Sequence, residues 1–158
     1  AVRVHRPGGG IHLLDGHEVV YVARSNPPRL VSIGYHVGAR APAHVVTPGI
    51  AMLCTFGNDA LDAWIAGHEF TGFTAQTAVD PAKFREDVRS ARALSYWTTT
   101  QQLDLGLCGI AMALIDRHGE CKGAIGMTLQ TQSHTPEDMV QRLLPLLREA
   151  AQAMRPLL

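Results

Sequence analysis

Near the start of the chain, apolar and polar residues alternate in a way that predicts strands. Residues 11–15 make a short strand and Val19 to Arg24 a β-branched run, and Asp15-Gly16 between them is a hairpin turn signal. Ser25-Asn26-Pro27-Pro28 closes the second strand. From Leu30 to Val37 alternation resumes, with Val31, Ile33, Tyr35 and Val37 on one face and Leu30, Ser32, Gly34 and His36 on the other. The three segments together predict a meander.

The period then becomes helical. A helical region is expected from Pro48 to about Gly67, broken near Gly57-Asn58-Asp59, with loop from Gly72 to Val79. Asp80-Pro81 caps the next helix, whose inward positions are Phe84, Val88 and Ala91. Strands return at roughly 94–101, 107–116 and 121–130, the last two joined by the hairpin sequence Asp116-Arg-His-Gly119. Thr135 caps a final helix, with Pro136 at its first position and Glu137 and Asp138 in its first turn. Met139, Leu143, Leu146, Leu147, Ala150 and Met154 form its apolar stripe, and Pro145 is expected to kink it. The order predicts an α+β domain: an antiparallel sheet of about six strands with flanking helices, of the GAF/profilin-like sensor type. The regular β–α alternation of a dinucleotide-binding fold is absent.

Composition narrows the classes. The 158 residues suit one domain, and 46% apolar with 18% charged residues marks it as globular. Fourteen basic residues balance fourteen acidic ones and no basic block occurs, so the footprint of a nucleic-acid surface is missing. No apolar run reaches the length of a membrane span. Cys54, Cys108 and Cys121 are odd in number and sit among apolar residues, which favours reduced thiols and a cytoplasmic location. Residues 1–10, with Pro7 followed by three glycines, read as a linker, leaving 11–158 as the folded domain.

The stretch from Val37 to Leu53 carries the first chemical clue. A strand ends at Gly38-Ala-Arg-Ala-Pro42 and a helix opens at Thr47-Pro48, with Thr47 as cap and Pro48 as first residue. Unpaired N–H groups at such an end can hold an anion. Arg40 and His44 lie just upstream, and Arg24 ends a neighbouring strand, so a small carboxylate is the expected guest. Against this stand a solvated arginine at a strand end and a histidine bonding its own loop.

The closing strands carry the second clue. One face of 107–115 shows Gly109, Ala111 and Ala113, and one face of 121–130 shows Ala124, Gly126 and Thr128. The opposite faces, with Cys108, Ile110, Met112 and Leu114 and with Ile125, Met127 and Leu129, are bulky and suit helix packing. A face of glycines and alanines leaves room for a small planar ligand, or lets a helix approach closely; residue types alone do not choose. Thr98 to Thr100 add hydroxyls nearby.

Other chemistries lack their spacings. Eight histidines suggest metal, but His17-Glu18 and His68-Glu69 have no second His four residues on, and no Cys-x-x-Cys pair occurs. Gly8-Gly9-Gly10 lacks the Lys-Ser/Thr of a phosphate loop. Cys108 falls on the bulky face and has no acid–His partner, so a buried thiol is expected rather than a nucleophile. An enzyme, a small hydrolase or isomerase for example, would need a nucleophile–base pair or paired acids, and neither is found; a ligand-free oligomerisation module stays open as a third class.

Several segments in order resemble the effector-binding domain of IclR-type bacterial transcription regulators. They are the Asp15–Arg24 hairpin; Val37-Gly38-Ala-Arg40-Ala-Pro42-Ala-His44 with Gly49 and Ala51-Met-Leu53; Arg92 to Tyr96; Gly106-Leu-Cys-Gly-Ile110-Ala111; Gly119 to Thr128; and Leu143 to Ala151. Val-Tyr-Val-Ala-Arg and Leu-Leu-Pro-Leu-Leu-Arg-Glu-Ala-Ala look most like the aromatic-acid branch, the Pca and Pob regulators. The resemblance implies a regulatory domain that binds a small organic acid, an aromatic carboxylate or its ring-cleavage product. It implies a homodimer or homotetramer, no cofactor, no metal and no enzyme activity. DNA would be bound only through an N-terminal winged helix-turn-helix preceding residues 1–10. Carried onto this chain, effector contacts fall on His44, Thr47, Pro48, Met52, Thr99, Leu105, Gly109, Gly126 and Thr128. Ala111 of the small face and the cations Arg24 and Arg40 complete the expected site. The chain departs from the family pattern at Gln101-Gln102, where many members carry an acid, at Ala113, where they carry Pro, and at Leu94 or Ser95, where several carry Gly.

Overall fold

The computed structural model describes residues 8–24, 36–132 and 134–158. Among them six strands form one antiparallel sheet: β1 (Gly8–Asp15), β2 (Glu18–Arg24), β3 (Arg40–Pro42), β4 (Trp97–Thr100), β5 (Leu107–Ile115) and β6 (Cys121–Gln130). Their order is β3-β2-β1-β6-β5-β4, so the first strand pairs with the last in the middle of the sheet. The α+β class and the strand number agree with the alternation and helical periods. The meander strand expected over 30–37 falls largely outside the described residues.

Both tight hairpins form where the turn residues demand them. Gly16 has φ +61° and Gly119 φ +82°, values that favour glycine. Asp116 Oδ1 accepts from the N–H groups of His118 and Glu120 at 2.8 and 2.9 Å, which stiffens the second turn.

Residues 8–10 are not linker. Gly8, Gly9 and Gly10 pair with Thr128, Met127 and Gly126 of β6, and Gly10 also pairs with Arg24 of β2. Glycine's missing side chain is what this position needs. A Cβ at Gly10 would stand 3.3 Å from Cε1 and 3.4 Å from Nε2 of His12, whose ring leans back over the strand.

Among the described residues four helices flank the sheet. A 3-10 turn at Ala43–Val45 leads into α1 (Thr47–Leu53), followed by α2 (Asn58–Ala66), α3 (Pro81–Leu94) and α4 (Pro136–Met154). α3 starts as its sequence demands, with Asp80 accepting from Ala82 N at 3.0 Å, and buries Phe84, Val88 and Ala91. α4 starts with Thr135 Oγ1 accepting from Asp138 N at 3.1 Å. It runs without interruption through exposed Pro145 and buries Met139, Leu143, Leu144 and Leu147. Leu146, expected inside, is 53% exposed and Leu144 takes its place. A stripe drawn four residues at a time leaves this ambiguous, because 144 and 147 share the i, i+3 face.

The two sides of the sheet hold separate apolar clusters. α4 covers the bulky face of β5 and β6, where Cys108, Ile110 and Leu129 meet Met139, Leu143, Leu144 and Leu147. On the other side Val19, Ala41, Ile50, Leu53, Leu61, Phe84 and Val88 unite the β1–β2–β3 end with α1, α2 and α3. No helix among the described residues is long and apolar enough to cross a membrane.

Candidate ligand-binding site

The small face of the sheet is used twice. Strand register places Thr99, Gly109 and Thr128 in one cross-strand row, Ala111, Gly126 and Gly10 in the next, and Ala113, Ala124, His12 and Tyr21 in a third. The start of α1 docks on this floor at very close range. A Cβ at Gly109 would lie 2.4 Å from Thr47 Oγ1, and one at Gly126 3.6 Å from Pro48 Cγ and 3.1 Å from the Ala111 Cβ. So the helix-approach reading of the small residues holds for part of the face. Beside α1 a small cleft remains, about 50 Å³ in volume and open to solvent at its mouth.

Strands, helix and loop each supply a wall. Val45 to Pro48 form one side, His12 and Tyr21 another, Gln102, Leu103 and Asp104 the third, over a floor that includes Gly109, Gly126 and Thr128. The Gln102–Asp104 wall is held from behind by the α2–α3 connection. Thr74 Oγ1 donates to the Gln101 carbonyl at 2.6 Å and Thr77 Oγ1 to that of Gln102 at 2.5 Å. Gln102 Oε1 accepts from Ala78 N at 2.7 Å, which leaves its amide N–H groups for other partners.

Six of the expected contact residues meet here: Thr47, Pro48, Thr99, Gly109, Gly126 and Thr128. Thr47 does so in a different role from the one expected. It is the first residue of α1 rather than its cap; Val46 occupies the cap position and no side chain caps this end. The Thr47 hydroxyl instead lies 2.6 Å from that of Thr99. Two hydroxyls share one hydrogen between them, so the pair keeps one O–H to donate elsewhere.

Of the other expected residues, none with a described side chain lines the cleft. Arg40 is absent from the lining; its guanidinium binds Asp15 at 2.5 Å and Glu18 at 3.2 Å, across the β1–β2 hairpin. These partners raise its pKa, with the Asp15 hydrogen bond the largest cause. Arg24 lies in β2, but its side chain is outside the described residues. Among the described lining residues there is no Lys or Arg, and Asp104 is an acid, so the cationic mouth expected from Arg40 is corrected. Met52, near the end of α1, is buried in the core, Ala111 is fully buried beneath the Gly126 contact, and Leu105 points to solvent at 68% exposure. None of the three lines the cleft.

His44 is not among the lining residues and is bonded to neighbouring groups. Its Nε2 donates to the Thr71 carbonyl at 2.8 Å, and its Nδ1 lies 2.7 Å from His68 Nε2. His68 Nδ1 in turn meets His17 Nδ1 at 2.9 Å, and Trp64 stacks on both His68 and His17. Because the Thr71 carbonyl can only accept, neutral rings must pass donors in one direction, from His17 to His68 to His44. Burial keeps His44 below the usual range; burial and the two neighbouring rings lower His68 to about 4.

His12 and Tyr21 were not expected in the site. His12 is 5% exposed, sits edge-on to Tyr21 at 4.5 Å, and its Nδ1 is buried with no hydrogen-bond partner among the described residues. Burial lowers its pKa to about 4, only partly offset by the Ala124 backbone, so the ring is neutral near pH 7. A lone histidine in a short strand beside a glycine run carries no local signal for this. Cys108 is buried and its Sγ turns to the Leu129 carbonyl at 3.6 Å, with burial raising its pKa; it is the inert thiol expected. Among the described residues no three His, Cys, Asp or Glu side chains are grouped to hold a metal ion.

Comparison with known proteins agrees with this geometry. The p-hydroxybenzoate hydroxylase transcriptional activator of Acinetobacter baylyi is 33% identical over 150 residues, covering 92% of this chain and 55% of the activator. The Pca regulon regulatory protein of Pseudomonas putida is 28% identical, over 87% of this chain and 48% of that protein. The chain thus spans about half the length of these curated relatives. Among solved structures, the inducer-binding domain of a PobR double mutant from Acinetobacter, in complex with 3-hydroxybenzoic acid, superposes with a TM-score of 0.90. It is 31% identical, and the match covers 96% of this chain and 89% of that one. The family model described as bacterial transcriptional regulator IclR, C-terminal, matches residues 10–155. A six-stranded antiparallel sheet with a cleft between its small face and a short helix, matched over nearly its whole length, therefore belongs to the IclR family of bacterial transcriptional regulators as a C-terminal effector domain.

Proposed function

We propose that this domain takes up a hydroxybenzoate-type aromatic acid in the cleft beside α1 and reports it to a DNA-binding segment of a longer protein. The observation that carries the reading is the character of the walls. Apolar groups from Val45, Val46 and Leu103 suit a flat ring, while Thr47, Thr99, Thr128 and Gln102 offer neutral donors to a carboxylate. The names of the relatives support the ligand class: one is a p-hydroxybenzoate hydroxylase transcriptional activator and the PobR domain holds 3-hydroxybenzoic acid. A ring-cleavage product is the rival ligand, favoured by likeness to the Pca regulators.

Coupling to DNA would follow from linkage. A ligand that prefers one arrangement of assembled subunits, whether dimer or tetramer, shifts the population toward it, and the DNA-binding segments follow. A cytoplasmic setting fits that role. Arg24, paired through its backbone with Gly10, is kept as the proposed cation of the site. Thermal-shift titration with 4-hydroxybenzoate, protocatechuate and ketoadipate tests the reading: stabilisation by a ring acid without turnover is expected. Stabilisation by ketoadipate alone selects the ring-cleavage product; turnover of any of them selects an enzyme.

A further inference from the structure

We infer that His12 reads a hydroxyl on the aromatic ring of the effector, at the end of the cleft opposite the threonines. The inference rests on the aromatic-acid reading above and adds the residue that selects among such acids.

Three observations converge on this residue. First, the His12 ring is buried yet borders the cleft, and its Nδ1 has no partner among the described residues. Buried polar nitrogens are rarely left unmet, because losing hydration without a replacement bond is costly. Second, the backbone is arranged around the ring: glycine at position 10 gives it room to lean over the strand toward Gly126, and Tyr21 holds its edge. Third, burial keeps the imidazole neutral near pH 7. With its one N–H turned to the Ala124 backbone, a neutral imidazole is left with an acceptor nitrogen, which a hydroxyl complements and a carboxylate, an acceptor only, does not.

The strand register sets the imidazole and the threonines at different ends of the cleft. Gly10, over which the imidazole lies, pairs with Gly126, and Thr128 is two residues further along β6, about 7 Å at ordinary strand rise. The carboxylate then faces Thr99, Thr47 and Thr128 while a hydroxyl para to it reaches His12. A purely structural histidine packed on Tyr21 would give no such discrimination.

Calorimetric titration of the chain with 4-hydroxybenzoate and with benzoate tests this. The wild type is expected to bind the hydroxy acid about tenfold or more tightly than benzoate, the scale of one well-placed hydrogen bond. In a folded His12→Phe variant that ratio falls to near one, because the hydroxy acid loses more affinity than benzoate does. Since the substitution could disturb folding, the wild type labelled with 15N-histidine supplies a second readout. One His12 ring nitrogen is expected to shift on adding 4-hydroxybenzoate and not on adding benzoate. An unchanged ratio in the variant, or unmoved His12 nitrogens, overturns the assignment. Equal affinity of the wild type for both acids overturns it while leaving the aromatic-acid reading intact. Binding of neither acid sinks both.

Discussion

The hydroxyls of Thr47 and Thr99, 2.6 Å apart, join the first residue of α1 to β4 directly above Gly109. That one bond sets how near the helix stands to the sheet, and so how wide the cleft beside it is. It is possible only because position 109 carries no side chain.

Gly109→Ala should therefore destabilise the domain by about 1–3 kcal/mol, the usual range for overpacking, and weaken ligand binding. Its Cβ would collide with Thr47 Oγ1 at 2.4 Å, whereas the Thr47 Cβ is 3.4 Å away. Adding Thr47→Ala removes the colliding atom, so the double variant should be more stable than Gly109→Ala alone. Urea denaturation of the four forms gives the coupling; additive losses would contradict the contact.

Arg40→Ala should leave ligand-dependent stabilisation unchanged. Its guanidinium is exposed and committed to Asp15 and Glu18, and exposed pairs of this kind contribute little. Arg24→Ala, by contrast, should weaken a carboxylate ligand. Thermal-shift titration of both variants checks the pair, and loss of the shift on changing Arg40 would restore it to the site.

Arg92 ties three groups at the end of α1 and the start of α2. It donates to the carbonyls of Cys54 at 3.1 Å and Phe56 at 2.7 Å, and to Asn58 Oδ1 at 2.9 Å. Lysine cannot reproduce this planar fork. Arg92→Lys should then lose roughly 1 kcal/mol of stability despite its retained charge, nearly as much as Arg92→Ala. Thermal melts of the two variants decide it; full rescue by lysine would show that charge alone matters.

Acid should weaken the fold well above the carboxylate range. His12 and His68 are lowered to about 4 and His44 is lowered too, each chiefly by burial. Between the ordinary histidine value of 6.5 and the folded value, the unfolded chain binds more protons. Stability therefore rises with pH in that window and falls as pH drops from 7 toward 4, levelling below it. For His12 alone the change is on the order of 3 kcal/mol. Asp116, whose pKa is lowered mainly by the Glu120 backbone hydrogen bond, loses its contribution only at lower pH. Denaturant midpoints measured from pH 7 to 4.5 should decline steadily; a flat profile would mean the histidines are hydrated in the folded state.

Whatever is settled by neighbours in the chain could be read from the residues in order. Asp15-Gly16 and Asp116–Gly119 close their hairpins, Asp80 and Thr135 cap their helices, and Phe84, Val88 and Ala91 face inward, because turn chemistry and helical period are local. Alternation likewise marked the small face that floors the cleft. Strand pairing over more than a hundred residues decided the rest. Gly8 to Gly10 look like a linker until Gly10 is set beside Gly126 with the His12 ring above it. Arg40 looks like an anion's partner until the hairpin brings up Asp15 and Glu18, 25 and 22 residues earlier in the chain. Local sequence fixes dihedral preference and facing, whereas hydrogen-bond partners, burial and the charge lining a cleft depend on which distant segments meet.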